Sequence, residues 1–234
     1  MSVLSGADGS VLYNFDGDST GDRFGISVSG ASDVNGDGFD DLIVGAYQDD
    51  NNGTDSGSAR VLSGFDGSVL YNFDGDSAGD EFGWSVSGVG DVNGDGIADL
   101  IVGARRDEKN GINSGAARVL SGGSVIYNFE GDSTDDRFGF SVSGAGDVNG
   151  DGVSDFIVGA NSQVANIGSY AVVFVSQITI LGDCNLDGEV TFFDIAAFIA
   201  VLQAGDFLEQ ADTNVDGEVN FSDIAPFIAI LQGQ

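Results

Sequence analysis

The sequence predicts a mainly β chain of three repeated four-stranded units, with a small α-helical unit at its C-terminal end. Two observations carry that expectation. Strand-like segments return at a spacing of 58 residues, from Val3 to Val61 and from Val61 to Val119. After about residue 178 the pattern stops, and two loop-plus-helix segments 29 residues apart replace it. Repeats of the first length are stacked or radial supersecondary units.

Each unit opens on an alternating segment: Phe24-Gly-Ile-Ser-Val-Ser, Phe82-Gly-Trp-Ser-Val-Ser and Phe138-Gly-Phe-Ser-Val-Ser. Apolar residues at every second place mark a half-buried strand. A continuous apolar run follows in Asp41-Leu-Ile-Val-Gly-Ala, Asp99-Leu-Ile-Val-Gly-Ala and Asp155-Phe-Ile-Val-Gly-Ala. Short apolar runs bounded by Gly and Asp are fully buried strands. Ala59-Arg-Val-Leu and Ser68-Val-Leu-Tyr-Asn-Phe supply a third and a fourth strand, whereas the last unit ends on Tyr170-Ala-Val-Val-Phe-Val. Four strands joined by glycine-rich turns form the blade of a β-propeller. The blades are expected at about 22–74, 80–130 and 136–176, with strands in 2–15 completing a blade. The β part then occupies 1–177 and the helical part 178–234.

Between the first two strands of every unit lies one acidic nonapeptide. Asp33-Val-Asn-Gly-Asp-Gly-Phe-Asp-Asp41 returns as Asp91-Val-Asn-Gly-Asp-Gly-Ile-Ala-Asp99 and as Asp147-Val-Asn-Gly-Asp-Gly-Val-Ser-Asp155. Acidic or amide oxygens stand at positions 1, 3, 5 and 9, and glycines at 4 and 6. At about 4–5 Å and an effective dielectric near 20, each pair of like charges costs on the order of 3–4 kcal/mol before screening. A hard divalent cation with oxygen ligands turns that repulsion into binding energy, and Ca²⁺ is the ion such oxygen sets suit. Glycine lets the chain bend back so that a carbonyl can join the shell.

The order Phe-Gly-x-Ser-Val, then Asp-x-Asn-Gly-Asp-Gly-x-x-Asp and an apolar strand, resembles the FG-GAP repeat of the integrin α-subunit β-propeller. The resemblance covers about residues 2–176. It implies calcium in each loop, held by the side chains of Asp33, Asn35, Asp37 and Asp41, of Asp91, Asn93, Asp95 and Asp99, and of Asp147, Asn149, Asp151 and Asp155. It assigns backbone carbonyls to Phe39, Ile97 and Val153. That family usually closes a ring of seven blades. Three blades do not easily close one, so an exposed edge or association between copies is expected.

The C-terminal segment follows a second grammar. Asp183-Cys-Asn-Leu-Asp-Gly-Glu-Val-Thr-Phe-Phe-Asp194 carries oxygen ligands at 1, 3, 5, 9 and 12 with Gly at 6, and Asp212-Thr-Asn-Val-Asp-Gly-Glu-Val-Asn-Phe-Ser-Asp223 repeats it. This is EF-hand loop spacing with Asp at the last position. A helix is expected after each loop, because Ile195, Phe198, Ile199 and Leu202, and then Ile224, Phe227, Ile228 and Leu231, share one face. Two such helices make a core too small to hold without metal. Pro226 lies early in the second helix and removes a backbone donor.

Two loop–helix units without a preceding helix resemble a dockerin domain, over about residues 180–233. The resemblance implies two calcium ions and docking onto a cohesin. The implied ligands are Asp183, Asn185, Asp187, Thr191 and Asp194, then Asp212, Asn214, Asp216, Asn220 and Asp223, with Glu189 and Glu218 at the backbone-carbonyl position. Cellulosomal dockerins often carry Ser-Thr at loop positions 10 and 11, whereas this chain has Phe192-Phe193 and Phe221-Ser222. The total expected is about five ions, three in the β part and two in the helical part.

Composition excludes several classes. With 38 acidic against 7 basic residues among 234, the formal charge is −31, which argues against nucleic acid and anionic membrane as partners. No apolar run reaches a membrane span. Histidine, the commonest general base and zinc ligand, is absent. Cys184 is the one cysteine, so no intrachain disulfide forms. The opening Met1-Ser-Val-Leu-Ser-Gly lacks the basic and apolar regions of a signal peptide and begins inside a repeat, so an upstream part is expected.

Several features have plainer readings. Phe24, Phe82, Trp84, Phe138 and Phe140 fit core packing better than sugar stacking, and Arg105 and Arg106 fit a solvated turn better than an acidic-ligand contact. Asp16, Asp18 and Asp22, echoed by Asp74, Asp76 and Asp80, fit a polar turn better than a second cation site. Gly25-Ile-Ser-Val-Ser lacks the closing glycine of a nucleophile elbow and any histidine to activate its serine.

The expectation is therefore a non-enzymatic, calcium-dependent extracellular or cell-surface adhesion module. Its propeller loops would meet protein or glycan, and its dockerin-like part would tether it to a cohesin-type or surface partner. The alternative is an accessory or catalytic part of a secreted polysaccharide- or lipid-degrading hydrolase. No carboxylate pair outside the metal loops supports catalysis.

Overall fold

This computed structural model describes residues 1–150 and 152–162 and the backbone of Tyr170–Phe174. All fall in the first of the two units into which the chain divides, Met1–Ser176. The dockerin-like segment with its loops and helices, including Cys184 and Pro226, lies outside the described residues, as does Asp151.

Strands come in the order the repeats predict. A hairpin of β1 (Ser2–Leu4) and β2 (Val11–Asn14) precedes three antiparallel sheets. The first blade holds β3 (Ser27–Ser32), β4 (Asp41–Ala46), β5 (Ser58–Leu62) and β6 (Val69–Asp74), in that spatial order. The second holds β7 (Phe82–Gly90), β8 (Asp99–Ala104), β9 (Ala116–Ser121) and β10 (Ser124–Glu130), and the third β11 (Phe138–Gly146), β12 (Asp155–Ala160) and β13 (Tyr170–Phe174). Sequential hairpin pairing of this kind is a blade meander. The third blade shows three strands among the described residues. The hairpin of β1 and β2 is a two-stranded sheet of its own and joins none of the others.

The core lies between successive sheets. Ile43, Val61 and Ala31 of the first blade meet Phe82, Val86, Leu100 and Val102 of the second. Ile101, Val119 and Val89 of the second meet Phe138, Phe156 and Val158 of the third. Both faces of β8 are therefore covered, which is why its apolar run does not alternate. Phe82 and Phe138 are buried, as core packing required, while Phe24, Trp84 and Phe140 are half-buried.

Glycine sets how closely blades approach. A side chain added at Gly45 would lie 2.0 Å from the Gly83 carbonyl oxygen, and one at Gly103 would lie 2.0 Å from that of Gly139. The Phe-Gly step of each later blade thus lies against the second strand of the blade before it. Parallel bridges Gly57↔Phe82 and Gly115↔Phe138 fix the same seam. Hydroxyls of the inner strands complete it: Ser27 Oγ accepts from Val86 N at 3.0 Å, and Ser85 Oγ donates to the Gly139 carbonyl at 2.9 Å.

Gly45→Ala should destabilise the chain by about 1–3 kcal/mol or more, because the new methyl meets backbone that cannot rotate away. Chemical denaturation reads this as a lower midpoint at unchanged slope, and an unaltered midpoint would show that the blades can separate without cost.

Candidate metal centres

All three acidic loops connect the first and second strands of their blades, so they leave the sheets at the same end. The second and third loops touch, Ser154 N donating to the Asp91 carbonyl at 3.3 Å, and a side chain added at Gly36 of the first loop would reach within 4.0 Å of Ile97 Cδ1 in the second. The turn itself needs glycine, since Gly36 and Gly38 hold φ of 77° and 88°.

The first position of each loop gathers amides. Asp33 Oδ1 accepts from Gly36 N at 2.7 Å and Asp37 N at 3.1 Å, and its Oδ2 accepts from Gly38 N at 2.8 Å. Asp91 repeats this with Gly94 N at 2.7 Å, Asp95 N at 3.2 Å and Gly96 N at 2.8 Å. Asp147 takes Gly150 N at 2.7 Å and Gly152 N at 2.9 Å. The amides, that of Gly38 foremost, hold the Asp33 carboxyl below its ordinary range.

Positions three and five face one another. Asn35 Nδ2 donates to Asp37 Oδ2 at 3.0 Å and Asn93 Nδ2 to Asp95 Oδ2 at 2.9 Å. Asp37 Oδ1 caps Phe39 N at 2.9 Å, and Asp95 Oδ1 caps Ile97 N at 2.8 Å. The side-chain amide of Asn93 leads the groups that lower the Asp95 carboxyl.

Position nine differs in kind. Asp41, Asp99 and Asp155 are fully buried, at 0% exposure. Their Oδ2 atoms accept from Val34 N at 3.0 Å, Val92 N at 2.9 Å and Val148 N at 2.7 Å, tying the start of each loop to its end. Asp41 Oδ1 also takes Gly64 N at 3.0 Å, at the end of the third strand. Among the described residues Asp99 Oδ1 is buried without a hydrogen-bond partner. Burial pushes the carboxyls of Asp41 and Asp99 above their ordinary value.

The donor set therefore fits a hard cation in chemistry. It consists of carboxylate and amide oxygens on a glycine-bent loop, and one loop carries an orphaned buried carboxylate oxygen. The oxygens are not drawn together, however. Among the described residues no three acidic groups stand close enough to hold a metal by themselves. The carboxylates at positions one and five spend their oxygens on loop amides and the Asn side chain, which relieves the mutual repulsion without an ion. Asn149 and Val153 lie in the third loop and have partners of their own.

Sequence reasoning missed the contribution of the third strand. Ser121 Oγ, at the end of β9, donates to Asp95 Oδ2 at 3.2 Å and accepts from Asn93 Nδ2 at 3.3 Å. The repeated Arg-Val-Leu-Ser-Gly at 60–64 and 118–122 was the available signal.

Two plainer readings need correction. Arg105 is not solvated: its guanidinium lies 3.2 Å from the Trp84 ring centroid, and its Nε reaches Glu81 Oε2 at 2.5 Å. Arg106 does lie exposed in a turn, as expected, and pairs from there with Glu81 Oε1 at 3.1 Å. The aspartates ahead of each Phe-Gly step are more than polar turns. Asp18 pairs with Arg60, and Asp76 pairs with Arg118 through both its oxygens, at 3.1 and 2.5 Å. Asp22, Asp80 and Asp136 are buried and accept from Ser19 N, Ser77 N and Ser133 N at 2.7, 2.9 and 2.9 Å. Burial first, and the Asp107 carboxylate second, push Asp80 up to about 6.

Comparison with known proteins agrees with the repeats and with both loop grammars. The FG-GAP repeat profile matches residues 24–62, 82–119 and 138–172, and the Dockerin type I domain profile matches 181–231. The chain carries three FG-GAP repeats followed by a dockerin domain, two families that in general bind calcium. The repeat region is similar to integrin α chains. It is 31% identical to integrin alpha-6 of Gallus gallus over 173 residues, covering 68% of this chain and 15% of that protein. It is 31% identical to integrin alpha-5 of Xenopus laevis over 181 residues (68% and 17%) and 33% identical to integrin alpha-PS2 of Drosophila melanogaster over 176 (64% and 12%). The chain thus spans less than a fifth of the length of these relatives.

Two measurements test the buried carboxylates. Asp99→Asn removes a buried charge, so it should raise the melting temperature in chelator and lower it in calcium; the same sign in both media would show that no ion engages this oxygen. Asp80 holds its proton to about pH 6 folded against 3.8 unfolded, so its cost appears as pH rises through that window and persists above it. Asp80→Asn should therefore stabilise at neutral pH by up to about 3 kcal/mol, with the two melting curves converging near pH 4.

Proposed function

We propose that this chain is a non-enzymatic, calcium-dependent interaction module of the extracellular space or cell surface. The observation that carries the reading is the threefold loop ending on a fully buried aspartate at Asp41, Asp99 and Asp155. A structural carboxylate buried in an apolar seam is costly unless amides or a cation compensate it. Calcium would be held by the oxygens at loop positions 1, 3, 5 and 9 and the carbonyl at 7, namely Asp33, Asn35, Asp37, Phe39 and Asp41 in the first loop and their counterparts in the others. It would supply charge neutralisation and a fixed loop conformation.

The propeller part presents these loops along one rim, a surface suited to protein or glycan partners. The dockerin domain, through Asp183–Asp194 and Asp212–Asp223, would take two further ions and tether the chain to a cohesin-type or other surface protein. Phe192, Phe193 and Phe221 in its recognition positions favour an apolar counterpart over one that reads hydroxyls. Adhesion is supported by the similarity to integrin α chains.

Native mass spectrometry at millimolar calcium should count about five ions per chain. A count of zero or one would remove the loop assignment. Binding to a cohesin-type partner should vanish in chelator and return on adding calcium, and retention in chelator would exclude the dockerin as the tether.

A further inference from the structure

The three blades put different charges at one repeated place. It lies where the first strand begins and the second ends, at the end of each hairpin away from its acidic loop. There a charged residue precedes the Phe-Gly step: Arg23, Glu81 and Arg137. Each holds a left-handed backbone, with φ of 60°, 54° and 53°, which is uncommon outside glycine and asparagine. The second and third blades share one strand register here, Phe82↔Ala104 and Phe138↔Ala160. Arg137 therefore stands to Asn161 and Phe140 as Glu81 stands to Arg105 and Trp84.

In the second blade this place is self-contained. Buried Glu81 takes Arg105 on one oxygen and Arg106 on the other, and the Arg105 guanidinium lies over the Trp84 ring. In the first blade Arg23 Nε donates to Gln48 Oε1 at 3.0 Å. The third blade breaks the pattern. Arg137 enters no ion pair among the described residues, and its Nε is buried without a hydrogen-bond partner. Arg60, Arg118 and Lys109 are by contrast each tied to a carboxylate. Asn161, in the place of Arg105, has partners of its own and is too short to lay a group across the Phe140 ring. Phe140 is half-buried, and the Arg105 guanidinium stands 6.0 Å from its centroid.

A group that completes the third blade's place must offer an acceptor in the plane of a guanidinium and an apolar face to an aromatic ring. A carboxylate meets the first need, side-on to Nε and one Nη. A sugar ring meets the second, because its C–H bonds carry the positive polarisation that the negative face of an aromatic ring attracts. We infer that Arg137 and Phe140 form a binding site for an acidic sugar, the uronate carboxylate on the Arg137 guanidinium and the pyranose face on Phe140. An acidic peptide would use Arg137 and leave the ring idle. The net charge of −31 repels ligands dense in negative charge, so a glycan with scattered uronates fits better than a polyuronate. The inference rests on the reading of this chain as an interaction module and adds a site to it. That site needs no ion in the acidic loops, so an ion count tests the loops and a sugar titration tests Arg137.

Equilibrium dialysis of the full chain in calcium, against a xylo-oligosaccharide bearing one glucuronate, should show saturable binding of one equivalent. The same oligosaccharide without the glucuronate, and a tripeptide with a single glutamate, should each bind about tenfold more weakly or worse. Arg137→Gln should lower the affinity by about tenfold. Arg137→Lys keeps the charge and loses the fork, so it should recover only part of that loss. Both variants should keep the wild-type circular dichroism and melting temperature. Absence of binding, equal binding of the neutral sugar or of the peptide, or full affinity in either variant would each overturn the site.

Discussion

The architecture depends on backbone lying directly against backbone between sheets. Where the Phe-Gly step of one blade crosses the second strand of the last, no side chain intervenes, and the carbonyls of Gly83 and Gly139 occupy the space a methyl group would need. That contact brings Ile43 and Val61 within reach of Phe82 and Leu100, so the shared core follows from it. It also aligns the inner strands, and with them the acidic loops. Apolar burial supplies most of the driving force, but it is non-directional; the glycine seam and the serine hydroxyls give the stack its register.

The loops solve a different problem. Each must return the chain between adjacent strands while carrying three acidic groups or, in the first loop, four. Backbone amides do much of this work: Asp33 and Asp91 each collect several amides, and Asp41, Asp99 and Asp155 close the loop from inside the seam. Much of the loop's form is therefore built into the chain, which reduces the ordering cost of capturing an ion. The exception is Asp99 Oδ1, which is buried without a hydrogen-bond partner among the described residues, although the Ser121 hydroxyl stands near enough to act on its carboxyl.

The strands and loops were legible because their periodicity is local: alternation marked β7 and β11, and uninterrupted apolar runs marked β4, β8 and β12. What escaped was non-local. Nothing in Arg105 and Arg106 signals that both will turn onto Glu81, because that meeting requires the second blade to bring a turn and a strand end together across 24 residues. Ser121 reaches Asp95 only because β9 lies beside β8. Asp18 and Asp76 looked like turn residues because their arginines lie 42 positions away.

The second and third loops also touch one another through Ser154 and Asp91. If the loops take calcium as proposed, a dication on one would be felt by the next in two opposed ways: it would repel a second positive charge along the rim, and it would stiffen the very turn its neighbour leans on. Occupancy along the row would then be a collective variable, with a titration curve whose steepness records which of the two influences prevails.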